Sequence, residues 1–412
     1  MHFAILGTDA DIFALAAGAR ELGHKISWCG DVRPGDAAAI ADLNAAATVS
    51  DEWELLLDRA SVDGVLVGRG VATAELRAEQ LKRLAAEAMP LLVVHPIFDS
   101  VLPYYEIDMT RRETGAIVRH YSPLGQNPAA ELLADWVANG HPSVGAIHQL
   151  TCERRVPGMA RNDVLSAIAR DAELLAAVAG DIRRVSAIGP AADDASFGAL
   201  QVQMTSTRIS SLRWSVGARL AAGAVMELAL IGEHGAILLR EIAGAKGAAS
   251  SWELETAVGD GRTNEVIECA DPAFHAIEQF SAAIASTDIA TRNAASTWDI
   301  ATRTMEVVDA IELSLQKGRT IEVFQQQLTE KLAFRGTMAA LGCGLLLIAF
   351  LVVVAIAVLG GAEGIVGEKI LPAWPLLLLA ALAFFLLLQA VPLLVTKRAS
   401  DKQPPGDASV PR

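Results

Sequence analysis

Short apolar runs alternate with helical patterns through the first 120 residues, and this alternation restricts the fold more than any other feature of the chain. HFAILG, KISWCG, GVLVG, LLVVH and AIVRHY are strand-like. Residues 11–22, 51–59, 72–88 and 104–114 between them repeat apolar positions at helical spacing. Strands separated by helices pair in parallel, with the crossover helices covering both faces. Residues 1–121 are therefore expected to form an α/β domain on a doubly wound parallel sheet. The pattern then changes. A helix at 128–139 leads to a strand in GAIHQLTCERR and a helix at 163–179. IRRVSAIG, FGALQVQMTST, ISSLRWSVGAR, AVMELALIGE and GAILLREI follow in succession, with turns such as Gly232, Glu233, His234 and Gly235. This predicts a large, open, mainly antiparallel sheet. Helices at 272–286 and 297–317 complete an α+β domain over 122–323.

Two later runs, 336–362 and 370–396, carry no charged residue. Each exceeds the ~20 residues that span a bilayer, and LLLIAFLVVVAIAVLG is apolar on every face. They are expected to be two transmembrane helices, reached through a linker helix at 324–335 in which Phe324, Leu328 and Leu332 share one face. Lys331 and Arg335 precede the first run, and Lys397, Arg398 and Lys402 follow the second. Positive flanks stay inside, so the body and a disordered tail at 397–412 are expected on the cytoplasmic side of the cytoplasmic membrane, with the lipid bilayer as a partner. The first residues carry no signal-peptide pattern. The cysteines Cys29, Cys152, Cys269 and Cys343 have no metal-ligand spacing and fit a reducing compartment. The last 50 residues contribute five bases and four acids to a net charge of −14, which leaves −15 on residues 1–335. Such a body is not expected to bind nucleic acid or to adhere electrostatically to an anionic leaflet.

The opening, MHFAILGTDADIFALAAGARELGHKISWCGDVRP, reads strand, turn, helix, strand, acid, as a Rossmann-like dinucleotide-binding unit begins. The glycine turn G-x-G-x-x-G is reduced to Gly7, followed by Thr8, Asp9, Ala10, Asp11 and Ile12. Glycines serve there because the backbone approaches a pyrophosphate at a helix N-terminus. A carboxylate on Asp9 about 4 Å from a phosphate would cost up to about 4 kcal/mol at an effective dielectric of 20. Alternatively, Thr8 or Asp9 caps the helix and Asp11 satisfies its dipole. Asp31 ends the second strand, where an acid takes ribose hydroxyls, although an Asp before Pro34 is also ordinary turn chemistry; Arg33 stands beside it. Gly68, Arg69 and Gly70 form a turn after the third strand in which Arg69 offers positive charge to an anionic ligand.

Three longer stretches, in this order and spacing, resemble the Gfo/Idh/MocA family of glucose–fructose oxidoreductase and inositol dehydrogenase. RHYSPLGQNPAAELLADWVANGHPSVGAIHQL looks like the family's crossover helix, MELALIGEHGAILL like its strand–turn–strand, and STWDIATRTMEVVDAIELSLQKGRTIEV like its closing helix. The resemblance covers residues 1–323. It implies NAD or NADP bound around Gly7, Thr8, Asp9, Ile12, Asp31, Arg33, Gly68, Arg69, Gly70 and Pro96. It also implies a sugar- or polyol-like substrate, with nucleotide- or lipid-linked forms included, on the second sheet, and it is compatible with oligomerisation. The family's Glu-Lys-Pro aligns with Val94, His95 and Pro96, which makes His95 either the candidate acid or base or a structural histidine pinned at a strand end before a proline. The family's Asp-x-x-x-His aligns with Ser166 and Arg170. Arg170 stays protonated and would either bind a carboxylate or phosphate of the substrate or be a solvated helix charge beside Asp171. Tyr104 and Tyr105 face either the interdomain cleft or the core. Two functions follow: a membrane-anchored, NAD(P)-dependent oxidoreductase with substituted catalytic positions, or a non-catalytic relative acting as a binding or scaffold module.

Overall fold

The computed structural model describes residues 1–323 except 45, 59–61, 126–127, 191–195, 220–223, 243–250, 268–270 and 289–295. The linker helix, both uncharged runs and the tail expected after residue 323 lie outside the described residues. Among the described residues no helix is long and apolar enough to cross a membrane.

The first sheet holds β1 (His2–Leu6), β2 (Lys25–Gly30), β3 (Thr48–Val49), β4 (Gly64–Val67), β5 (Leu91–Val94) and β6 (Val118–Tyr121) in the order β3-β2-β1-β4-β5-β6, all parallel. This is the doubly wound order, whose switch point lies between β1 and β4. Its strands read as continuous apolar runs because both faces are covered. Ala4, Leu6, Leu91 and Val93 pack with α3 (Ala74–Ala86) and α4 (Leu102–Thr114). Phe3, Ile5, Leu92 and Val94 pack with α1 (Ala10–Glu21). A short α2 (Ala37–Leu43) and β3 were not anticipated, since both are brief and mostly exposed. The helix expected at 51–59 is a single 3₁₀ segment, Trp53–Leu57, which buries Trp53 and Leu56 at its three-residue repeat.

After α5 (Pro128–Asn139), the second sheet begins. It comprises β7 (Ile147–Val156), β8 (Ile182–Ile188), β9 (Leu200–Ser206), β10 (Ser211–Ala218), β11 (Ala224–Gly232), β12 (Gly235–Ile242), β13 (Ser251–Val258), β14 (Gly261–Ile267) and β15 (Ile321–Glu322). Their order is β14-β13-β12-β11-β7-β10-β9-β8-β15, antiparallel except for the parallel β7–β10 pair. The strands β13 and β14 had no counterpart in the sequence reading, and β14 is exposed along nearly its whole length, so it carries no alternation. One face of the sheet packs on α6 (Arg161–Ala179) and α8 (Trp298–Lys317). Between them α7 (Pro272–Ala285) returns to the first sheet. A Cβ on Gly18 of α1 would stand 3.0 Å from the backbone of Phe274, which measures how closely the two helices approach. Phe280 stacks on Phe3 at 5.8 Å.

Candidate functional site

The carboxyl ends of β1 and β4 carry the two glycine turns, and these abut. A Cβ on Gly7, whose φ is +87°, would lie 2.6 Å from the carbonyl oxygen of Gly68. Asp9 sits across the seam. One carboxylate oxygen accepts from the N–H of Ile12 at 2.9 Å and caps α1; the other accepts from the N–H of Arg69 at 2.9 Å. The second alternative read from the turn is therefore the one the molecule adopts for Asp9. Thr8 is buried and its hydroxyl donates to Asp36 at 2.6 Å while accepting from the N–H of Arg33 at 2.9 Å. Ile12 is a core side chain beneath Gly68. Asp31, at φ +54°, accepts from the N–H groups of Val71 and Ala72 and pairs with the buried Arg77. A Cβ on Gly70 would collide with that carboxylate, and Arg33 Nε donates to the Gly70 carbonyl at 3.1 Å.

These residues do not fit a dinucleotide held in the manner the resemblance implies. The helix N–H and loop N–H that would face a phosphate both bond Asp9, and the acid that would face a ribose bonds Arg77 and the turn after β4. Internal carboxylates hold the anion positions, as they would for any helix terminus that must be satisfied without a ligand.

Asp11 and Arg170 form an ion pair, and Arg170 Nε donates to the carbonyl of His95 at 3.2 Å. Arg69 Nε donates to the carbonyl of Pro96 at 2.9 Å and a terminal nitrogen to Ser166 Oγ at 3.3 Å. The turn after β4, the turn after β5 and the first half of α6 thus meet. The side chain of His95 leaves this meeting point. It is 1% exposed, with Nε2 3.0 Å from Thr304 Oγ1 and Nδ1 3.4 Å from the Tyr104 hydroxyl. Burial, with His120 and Arg170 nearby, pushes its pKa well below the ordinary range, so it is neutral. The expected strand-end acid or base is a sealed core histidine. Tyr104 is likewise core, stacked on Trp298, whereas the Tyr105 hydroxyl donates to Glu306 at 2.6 Å. His120 behaves oppositely to His95: burial lowers its pKa, but the Glu173 carboxylate at 2.7 Å outweighs this and holds it above the usual value.

Beside the meeting point lies a cavity of about 440 Å³ whose wall includes Arg69, Arg154, Arg155, Asp163, Ser166 and Arg170. The side chains of Arg154, Arg155 and their partners were missed in the sequence. Arg154 is buried on β7, donating to Asp171 at 3.0 Å and to Glu241 at 3.0 Å, and Trp214 Nε1 donates to the same Asp171 at 2.8 Å. A signal existed: Arg154 shares strand parity with the buried Leu150, Cys152 and Val156.

The fold is shared with several solved oxidoreductases. An oxidoreductase from Agrobacterium radiobacter, solved with NAD+, L-tartaric acid and magnesium, matches with a TM-score of 0.61 at 12% identity, over 78% of this chain and 98% of that one. A 3-ketoreductase from Actinomadura kijaniata, solved with NADP and TDP-benzene, matches at 0.61 and 16% identity, over 76% and 97%. An oxidoreductase from Thermotoga maritima matches at 0.63 and 15%, over 78% and 98%. At these identities the likeness establishes the fold. No protein-family model and no curated protein matches the sequence.

Proposed function

We propose that this chain is an oxidoreductase-fold protein of the Gfo/Idh/MocA type, with NAD or NADP as its cofactor class and a sugar- or polyol-like substrate in the arginine-lined cavity. The observation that carries this reading is placement. The cavity opens beside the carboxyl ends of β4 and β6, with Arg69, Pro123 and Leu124 in its wall, on the edge of the parallel sheet where open α/β sheets bind ligands. The crevice as built resists the cofactor, because a phosphate must displace or sit against Asp9. Wild-type affinity for NAD and NADP is therefore expected to be weak. The proposal includes anchoring in the cytoplasmic membrane through the two uncharged runs, with the body on the cytoplasmic side.

A second reading, a non-catalytic binding or scaffold module, draws support from the burial of His95, since no other histidine of the described residues meets Arg69 and Arg170 at the cavity. Titration of the full-length protein with NAD and NADP separates the two. Saturable binding that tightens in Asp9→Gly, together with dinucleotide-dependent turnover of a sugar, supports the enzyme. Binding in neither protein leaves the module. A low-micromolar dissociation constant in the wild type would overturn the account of a self-filled crevice.

A further inference from the structure

The cavity gathers four guanidinium groups against two carboxylates in the same wall, Asp163 and Glu241, and the four are not equally committed. Arg154 is neutralised by Asp171 and Glu241 in a buried network. Arg170 is paired with Asp11. Among the described residues Arg155 pairs with Glu153 alone, at 3.8 Å with both side chains at least one-third exposed, an arrangement worth little. Arg69 has no ion pair among the described residues. Its side chain donates to a carbonyl and a hydroxyl, both uncharged. Burial first, and then the adjacent Arg170, lowers its pKa. Asp9 and Asp11 oppose this, but more weakly than burial and Arg170, and both are bonded elsewhere, Asp9 to the Ile12 and Arg69 amides and Asp11 to Arg170. A half-buried cation whose side chain bonds only neutral oxygens, beside a second cation, has lost solvation without gaining a full counter-charge.

We propose that the cavity takes an oxyanion carried on a sugar-sized molecule, a sugar acid or a sugar phosphate, with Arg69 as the inner cation and Arg155 as the outer one. The inference rests on reading the cavity as the substrate site and narrows its substrate from neutral polyols to anionic ones. The volume falls within the ~300–1,000 Å³ range of small-molecule sites. A neutral hydroxyl can accept from Arg69 but leaves its charge uncompensated, whereas a carboxylate or phosphate oxygen forms the shorter, stronger charge-assisted bond. Arg69 is also well placed to hold position while doing so, because Pro96 and Ser166 fix its guanidinium plane.

The test is calorimetric titration of the full-length protein with D-glucuronate, glucose 6-phosphate and glucose, in the absence of dinucleotide and at low and high salt. At least one anion is expected to bind ten or more times more tightly than glucose, with the advantage shrinking as salt rises. Tighter glucuronate identifies a carboxylate ligand and tighter glucose 6-phosphate a phosphate; either supports the proposal. Arg69→Gln, which keeps a donor for Ser166, is expected to weaken anion binding by roughly ten- to a hundredfold, the measure of a charged hydrogen bond. Arg155→Gln is expected to weaken it about two- to fivefold, and its exposed position keeps the test valid if Arg69→Gln fails to fold. Equal affinity for glucose and both anions, or anion binding unchanged in both variants, would overturn the inference. Failure of the oxidoreductase reading looks different: the anion binds, and no dinucleotide ever does. Turnover of a neutral sugar with no anion preference would do the reverse.

Discussion

The two concave regions at the head of the first sheet solve opposite electrostatic problems. In the crevice between β1 and β4, donors are matched by internal acceptors: Asp9 joins the helix N-terminus to the Arg69 amide, Thr8 meets Asp36, and Asp31 meets Arg77. In the neighbouring cavity, the Arg69 side chain bonds only neutral oxygens and Arg155 has a loose, half-exposed partner in Glu153. A site that is internally satisfied loses affinity for ligands of the same sign as its fillers; one left with unspent charge gains affinity for the opposite sign. The comparison teaches that resemblance of fold does not carry binding with it. Each region has to be read from how its own polar groups are spent.

The largest expected effect lies beneath the cavity. Arg154→Ala removes the cation that satisfies both carboxylate oxygens of the fully buried Asp171. Breaking such a pair from one side typically costs about 3–5 kcal/mol. Chemical denaturation of the variant should show a loss of that size; a loss below about 1 kcal/mol would mean that the cavity floor is not held by charge.

Asp9→Gly breaks the comparison directly by emptying the phosphate position. Removing the carboxylate relieves up to about 4 kcal/mol of repulsion at an effective dielectric of 20. Adjustment of the freed loop will consume part of this, so NAD or NADP should bind tens to several hundred times more tightly. Loss of the cap should cost the fold about 1 kcal/mol or less. Unchanged dinucleotide affinity in a folded Asp9→Gly protein would show that something other than this carboxylate closes the crevice.

Much of this arrangement was legible in the sequence, and what was not had local physical reasons. Five of the six parallel strands announced themselves because burial on both faces makes them continuous apolar runs. The two-residue β3 and the exposed β14 offered no such run. The amphipathic pattern of α7 says that it covers something, but only the fold says that it covers α1. At the site, capping by Asp9 was one of the alternatives in the turn. Arg77 lies within α3, and nothing local in the sequence ties it to Asp31 46 residues away. The orientation of His95 was in fact encoded: it shares parity with Leu91 and Val93, which pack toward α3 and α4, so its side chain follows them into the core. Alignment by motif drew attention to its position and away from its parity.

A smaller effect is expected from pH. The folded pKa of His95 lies below its unfolded value of about 6.5, so the unfolded chain binds the proton more readily. Its contribution to stability is present above pH ~6.5 and is lost as pH falls, by up to about 1.4 kcal/mol per pH unit. His120 has the opposite sign. Its folded pKa is raised, so its contribution is complete below pH ~6.5 and is lost as pH rises through the folded value. Denaturation between pH 5 and 8 should show a shallower acid limb in His95→Asn and a shallower alkaline limb in His120→Gln, each relative to wild type. Parallel curves for wild type and His95→Asn would mean that the imidazole is not held neutral.

The smallest effect should come from Arg170→Ala, although Arg170 was the residue singled out by motif for binding substrate. Its guanidinium already pairs with Asp11 and donates to the His95 carbonyl. A new anion would have to compete with Asp11, and its gain would be offset by what that carboxylate loses. The ion pair is about one-third exposed on the arginine side, so its own contribution to stability should be about 0.5–1 kcal/mol after screening. Removing Arg170 also removes the repulsion it exerts on Arg69, which favours the charged form of Arg69. The two consequences oppose each other. Anion affinity should therefore change by less than about threefold in Arg170→Ala, well short of the loss expected in Arg69→Gln. If Arg170→Ala instead abolishes anion binding while Arg69→Gln retains it, the division between spent and unspent arginines is wrong and the motif alignment assigned the binding residue correctly.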